Sequence, residues 1–265
     1  MRRLGAGVDN VAYLVGDLVV RFRRTDPAEV AREARLLRVV GAVSPVPVPV
    51  PEFVDPVGGC LAYRMLPGVP LLSVTDRDPG ALGARLGRLL AALHAVASPD
   101  PSEASWSIDD APPREWLDEA LSLWPEVEAE VPQAWRGTVR AFLRAPAPEP
   151  AASLAFSHQD LGAEHVLVDP GTGEITGVVD WSDAAVGDPA RDLGLILRDL
   201  GPVAFAAAVR EVAPDLRGPG TAERAHFYAR CGLIADLEYG ISTAQPAYRE
   251  KSIAALDRLF TPIRS

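Results

Sequence analysis

Residues 165–181, HVLVDPGTGEITGVVDW, admit one local solution, a tight antiparallel hairpin. Two runs rich in β-branched residues flank Pro170-Gly171-Thr172-Gly173. A hairpin returns the chain to where it left. His165, at the head of the first run, is therefore brought beside Asp180, at the foot of the second, and Asp160 lies in the loop just before. Three titratable side chains converge at one end of an otherwise apolar element. Such a cluster can hold a divalent cation and offer a carboxylate base.

The rest of the chain limits which chemistry this can be. With 265 residues there is enough chain for a sizeable core, as one large domain or two lobes. No apolar run approaches the ~20 residues of a membrane span, and no signal-peptide-like segment precedes the first motif. Cys60 and Cys231 are too few for a disulfide framework, so a reducing cytoplasm is expected. A net charge of −10 argues against nucleic acid or an anionic membrane as partner and suits a cationic ligand, although acidity for solubility alone is common. Lys251 is the only lysine, and it sits in a helix-like stretch near the C-terminus. A phosphate loop of the Walker type and a Schiff-base enzyme both need a lysine in a defined setting, so both are excluded.

Organisation changes near residue 66. Before it, VAYLV and LVVRF are joined by Gly16-Asp17 as a two-residue hairpin. An amphipathic helix then follows, with Asp26 as N-cap, Pro27 in the first turn, Glu29 completing a capping box and Gly41 as the stop. Val30, Ala34 and Leu37 make its apolar stripe, and Glu33 interrupts that stripe, so it needs a positive partner. The alternating prolines of SPVPVPVPEF keep the chain extended, and a strand over CLAYRML ends at Pro67-Gly68. Beyond that, helical periodicity dominates, apart from the hairpin, and Asp188 caps the helix that opens with GDPARDL. The expected architecture is α+β: a small β-rich lobe over 1–66 and a larger, mainly helical lobe over 67–265.

Three chemistries could use the hairpin cluster. A glycosidase would draw its two carboxylates from separate elements around a sugar cleft, which nothing else here suggests. A metallohydrolase would need more ligands than His94 and His226 supply. Phosphoryl transfer needs a base at the acceptor hydroxyl, a metal-binding carboxylate with a second ligand, and a cation reaching the nucleotide phosphates from another lobe. Only the third draws on the whole chain.

The residues that carry this reading, HQDLGAEH, then GVVDW, then GDPARDL, resemble the antibiotic phosphotransferase family, whose fold is that of the protein kinases. His165, where most members carry Asn, is similar to the aminoglycoside 2″-phosphotransferases and the macrolide kinases; GAGVDNVAYLV and YRMLPGVPL resemble their opening strands and interlobe hinge. The resemblance runs from residue 5 to about residue 200. It implies Asp160 as catalytic base, and Asp180 with His165 as magnesium ligands. It further implies that Gly5 and Gly7 cover the phosphates of ATP or GTP, and that main-chain groups of Arg64 and Leu66 meet the base edge. Arg21 stands where the family has its nucleotide-clamping lysine, and Glu33 matches the helix glutamate that pairs with it. The implied reaction moves the γ-phosphate to a hydroxyl of a small antibiotic, an aminoglycoside first. Asp183, Asp236 and Glu238 are candidate ligands for its ammonium groups, although two residues apart on one helix diverge by about 200°, so only one of the last two can face a cleft. Two alternatives stay open: a kinase of a choline-, homoserine- or sugar-amine-like alcohol, and a nucleotide-binding pseudokinase. Of the remaining polar residues, His158 orients the loop and Asp192 braces it.

Overall fold

The computed structural model describes residues 1–6, 10–24, 26, 29–75, 77–96 and 106–261. The N-terminal part is a five-stranded antiparallel sheet built from β1 (Arg2–Ala6), β2 (Asn10–Val15), β3 (Leu18–Arg23), β4 (Pro51–Asp55) and β5 (Cys60–Arg64), in the order β1-β2-β3-β5-β4. Val15 pairs with Leu18 across the Gly16-Asp17 turn, where Gly16 takes φ 64°, the left-handed value this hairpin type demands. The single helix of this region, α1 (Glu29–Val43), is inserted between β3 and β4. Its stripe of Val30, Ala34, Leu37 and Val40 is buried. The helix does not stop at Gly41 as expected; it runs to Val43, and Gly41 serves instead to let Val48 and Val50 of the proline-rich segment pack close.

That segment is extended, as its prolines require, and Pro47 accepts a hydrogen bond from the Val178 amide (3.0 Å). It thus ties the first sheet to the hairpin. After β5 the chain passes through β6 (Val69–Pro70) and enters α2 (Pro79–His94), whose N-cap Asp78 accepts from the amides of Gly80 and Ala81. Then come β7 (Ser107–Ile108), α3 (Pro113–Val127), α4 (Gln133–Arg144) and β8 (Ala155–Ser157). The expected hairpin is β9 (Val166–Val168) and β10 (Ile175–Val178), with β6 as a third strand beside β9, and β11 (Ala185–Gly187) lies between β7 and β8. Four helices complete the chain: α5 (Ala190–Leu200), α6 (Pro202–Glu211), α7 (Pro219–Ser242) and α8 (Pro246–Phe260). The core is one continuous cluster running from Val19 of the first sheet to Phe260 at the end of α8.

Asp188 corrects the capping assignment in part. Its Oδ1 does accept from the Ala190 amide (3.0 Å), but α5 starts two residues later with Pro189 at the cap. Oδ2 is held by Arg224 Nε (2.6 Å) and the Tyr228 hydroxyl (3.1 Å), so this carboxylate chiefly fastens α7 to the start of α5.

The closest helix contact is made by glycine. A Cβ on Gly83 would lie 2.1 Å from the Ala204 carbonyl oxygen, and one on Gly87 2.5 Å from that of Ala208. Two four-residue repeats of small residues, one on α2 and one on α6, let the backbones touch. Gly83→Ala should therefore destabilise the protein by about 1–3 kcal/mol, the usual cost of overpacking. Gly137→Ala in α4, where a new Cβ meets nothing within 4 Å, should be neutral or stabilising. Urea midpoints of the two variants check this.

Candidate active site

The loop that precedes β9 is held against the chain's own preferences. Gln159 adopts φ 68° and Asp180, at the far end of the hairpin, φ 62°; such values are uncommon away from glycine. Asp192, on the first turn of α5 and fully buried, accepts from the amides of His158 (2.9 Å), Gln159 (3.2 Å) and Leu161 (3.3 Å). His158 is equally buried. Its Nδ1 accepts from the Asp160 amide (3.3 Å) and its Nε2 lies 3.1 Å from the Val179 carbonyl, which can only accept. The ring is therefore the neutral Nε2–H tautomer, in keeping with a pKa pushed down by burial. Trp181 packs on this ring, with centroids 4.5 Å apart, and its Nε1 donates to the Val178 carbonyl (3.0 Å). Both expectations, His158 orienting the loop and Asp192 bracing it, describe what is seen.

This frame presents the three titratable groups together. The Val179 amide donates to the His165 carbonyl (2.9 Å), so the strand ends meet and Asp180 emerges beside His165. His165 Nε2 stands 3.1 Å from Asp160 Oδ2. Burial disfavours the imidazolium, but the hydrogen bond and charge of Asp160, with Glu164 and Asp180 behind it, outweigh that and lift His165 to about 9. Asp160 responds in the opposite sense. Burial pushes its carboxyl up, His165 more than cancels this, and the group ends well below the ordinary carboxylate range.

From the first sheet, Arg21 of β3 reaches the same place. Its guanidinium is 2.6 Å from Glu33 Oε1 on α1 and 3.7 Å from Asp180 Oδ1, and only 11% of the side chain is exposed. Glu33 thus finds the positive partner its buried position requires. Asp180 also accepts from Ser182 Oγ (2.7 Å), and its carboxyl is lowered: burial raises it, and Arg21 and His165 overcome that. Asp183 is exposed beside this group. Burial first, then the charges of Asp160 and Asp180, push its carboxyl up, so a cation placed next to it would be welcome.

The segment linking sheet and helices has a defined polarity. Met65 N–H donates to the Asp17 carbonyl (2.8 Å), so by the alternation of an antiparallel ladder the main-chain groups of Arg64 and Leu66 face the other side. On that side β4 does not pair beyond Tyr63, which lies opposite Pro51. Gly5 lies in β1 across from Ala12. Gly7 lies outside the described residues.

Residues 1–227 match the model of the family described as "Phosphotransferase enzyme family". The chain belongs to this phosphotransferase family. A viomycin phosphotransferase from Streptomyces vinaceus is 30% identical over 141 residues, 51% of this chain and 48% of the relative, so the match spans about half of that protein's length. Among solved structures, the GDP and kanamycin complex of an APH(2″) enzyme superposes with a TM-score of 0.70 at 20% identity, covering 97% of this chain and 91% of the other. A macrolide 2′-phosphotransferase from Brachybacterium faecium gives 0.62 at 26% identity, covering 100% and 92%. The α+β, kinase-like architecture expected from the motifs is the one these phosphotransferases share.

One of the expected acceptor ligands needs correction. Asp236 is not free to meet a substrate. It lies 2.8 Å from both Arg198 and Lys251 within a buried cluster of five charges. The same cluster was not foreseen. Arg198 holds Asp199 (2.7 and 3.0 Å), Lys251 holds Glu164 (2.6 and 2.8 Å), and Asp199 in turn accepts from the Ala163 amide of the loop (2.9 Å). One sign was available in the sequence, a single lysine in a chain that otherwise uses arginine throughout.

Two expectations follow. Removing either Arg21 or Glu33 strands a buried charge, so Arg21→Met and Glu33→Gln should each destabilise, and the double variant should lose much less than their sum. A double-mutant cycle in denaturant reads the coupling, and strict additivity would mean that the pair does not interact. His165 gains its proton affinity only in the folded protein. Its contribution is therefore full below about 6.5, the unfolded value, and is lost as pH rises towards about 9. Stability of the nucleotide-free protein should fall across that window, and His165→Asn should flatten the profile there.

Proposed function

We propose that the protein transfers the γ-phosphate of ATP or GTP to a hydroxyl of an amine-bearing antibiotic, aminoglycosides foremost. The observation that carries this is the meeting of Asp160, His165 and Asp180 at one end of a hairpin with an Arg21–Glu33 pair reaching over from a separate sheet. Phosphoryl transfer needs those parts in that disposition. Asp160 orients the acceptor hydroxyl and takes its proton as the oxygen attacks the γ-phosphorus; the bond to the β–γ bridging oxygen breaks, and the nucleoside diphosphate leaves with that electron pair. Its depressed pKa keeps it ionised, so that it accepts the hydrogen bond of the acceptor hydroxyl.

Arg21, kept charged by Glu33, neutralises the α- and β-phosphates. Residues 1–66 form the nucleotide lobe, with the Arg64 and Leu66 main chain meeting the base edge and Gly5 and Gly7 over the phosphates; residues 67–265 bind the acceptor. Magnesium, when bound, would supply charge neutralisation across the phosphates. Asp180 would hold it, since a half-exposed carboxylate plus phosphate oxygens suits an ion that favours few protein ligands, and His165 would join it only on giving up the Nε2 proton it now shares with Asp160. The reaction requires cytosolic nucleotide, and among the described residues no helix is long and apolar enough to cross a membrane.

Asp183 favours a cationic acceptor. An exposed carboxylate crowded by two others is stabilised by an ammonium group, and the chain as a whole carries a charge of −10. This also fits the name of one relative, a viomycin phosphotransferase.

The test is phosphate transfer from labelled ATP and GTP to aminoglycosides, viomycin, macrolides, and choline- and homoserine-like alcohols. Transfer to an amine-bearing antibiotic, with KM rising as salt screens the carboxylates, is the expected result. Asp160→Asn should keep nucleotide affinity and lose at least ~100-fold in kcat, the usual scale for a positioned base. Transfer confined to choline- or homoserine-like alcohols would make the protein a metabolite kinase, and nucleotide binding with no transfer a pseudokinase.

A further inference from the structure

The chain's one lysine stands 7% exposed among three carboxylates. Lys251 Nζ lies 2.6 and 2.8 Å from the two Glu164 oxygens, 2.8 Å from Asp236 and 3.8 Å from Asp199. Arg198 lies on the other side of the same group, 2.8 Å from Asp236 and 2.7 Å from Asp199. The five residues come from three helices and the loop: Arg198 and Asp199 from α5, Asp236 from α7, Lys251 from α8, and Glu164 from the turn before β9. Lys251 gives both of its hydrogen bonds to Glu164 and lies against Asp236, while Arg198 spans the same carboxylates from the opposite side.

Glu164 is the residue immediately before His165, whose ring holds Asp160 at 3.1 Å, and Ala163, one residue earlier, is held by Asp199. Any shift in Glu164 is passed along two bonded neighbours to the pair that faces the acceptor. We propose that Lys251 is a positioning residue: by clamping Glu164 it sets the placement of His165, and through it of Asp160, and it makes the last helix of the chain a part of the catalytic loop's support. This rests on the reading of Asp160 as the base, but the clamp itself does not.

Lys251→Met alone leaves one cation against three carboxylates and threatens folding, so the deciding variant is Lys251→Met/Glu164→Gln. It keeps the cluster's net charge at −1 while removing the clamp. Two readouts are taken beside melting temperature. The first is kinetics: kcat should fall about 10- to 100-fold, the scale for an ångström-sized misplacement, with nucleotide KM within about twofold of wild type. The second needs no turnover. The imidazole N–H of His165 that donates to Asp160 gives a low-field proton, assignable by its absence in His165→Asn among only four histidines. In the double variant this proton should shift or broaden. If it stays where it is in the wild type, the proposal is overturned whatever the kinetics do. A wild-type protein that transfers phosphate to no acceptor would refute the phosphotransfer reading instead, and the imidazole proton would still decide the clamp.

Discussion

The structure depends on two carboxylates of one helix. The loop 158–163 carries main-chain amides that no ladder satisfies, and it includes a residue forced to φ 68°. Asp192 takes three of those amides and Asp199 a fourth. Seven residues apart on α5, the two project from the same face about 10 Å apart along the axis. The helix acts as a ruler laid along the loop, with a buried acceptor at each end. Unsatisfied buried amides cost on the order of 1–3 kcal/mol each, so this loop conformation is available only while both carboxylates are in place.

Burying those acceptors creates a second requirement, which the two ends meet differently. Asp192 has little opposing charge; burial pushes its carboxyl up, and the amides with neutral His158 beside it stabilise it as an acceptor of short dipoles. Asp199 is paired with Arg198 and held well below its usual value against burial. That pairing draws in Asp236, Glu164 and Lys251, and so draws in α7 and α8. One end of the ruler is therefore anchored by hydrogen bonds to the loop amides. The other is an ionic knot that recruits the C-terminal helices to the site.

What could be read from the sequence follows the range of the physics involved. The β9–β10 hairpin, the Gly16-Asp17 turn and the stripe of α1 rest on local rules, and all three stand where those rules put them. Glu33 was legible because a carboxylate on an apolar stripe announces a missing partner, and Arg21 supplies it. The knot was not legible: its members span residues 164 to 251, and ion pairing across helices has no sequence period. Asp236 therefore read as a free ligand when its charge is already engaged. Gly41 misled for a different reason. Glycine ends a helix only where the next residues can leave it, and here the packing of Val48 and Val50 against it favours continuation.

Arg21 gains a physical explanation from the same view. A lysine at a position this buried would be at risk of losing its proton, whereas a guanidinium keeps its charge and, with burial opposed by Glu33, Tyr63 and Asp180, has its pKa raised further. Tyr63, paired directly across the sheet from Val19, is buried beside it and shares its electrostatic field. The planar fork can bond Glu33 through one nitrogen and leave another near Asp180, the arrangement present here. A lysine, with one nitrogen, would have to place all its donors at a single point. Arg21 thus forms a fixed bridge from α1 through β3 to the hairpin end.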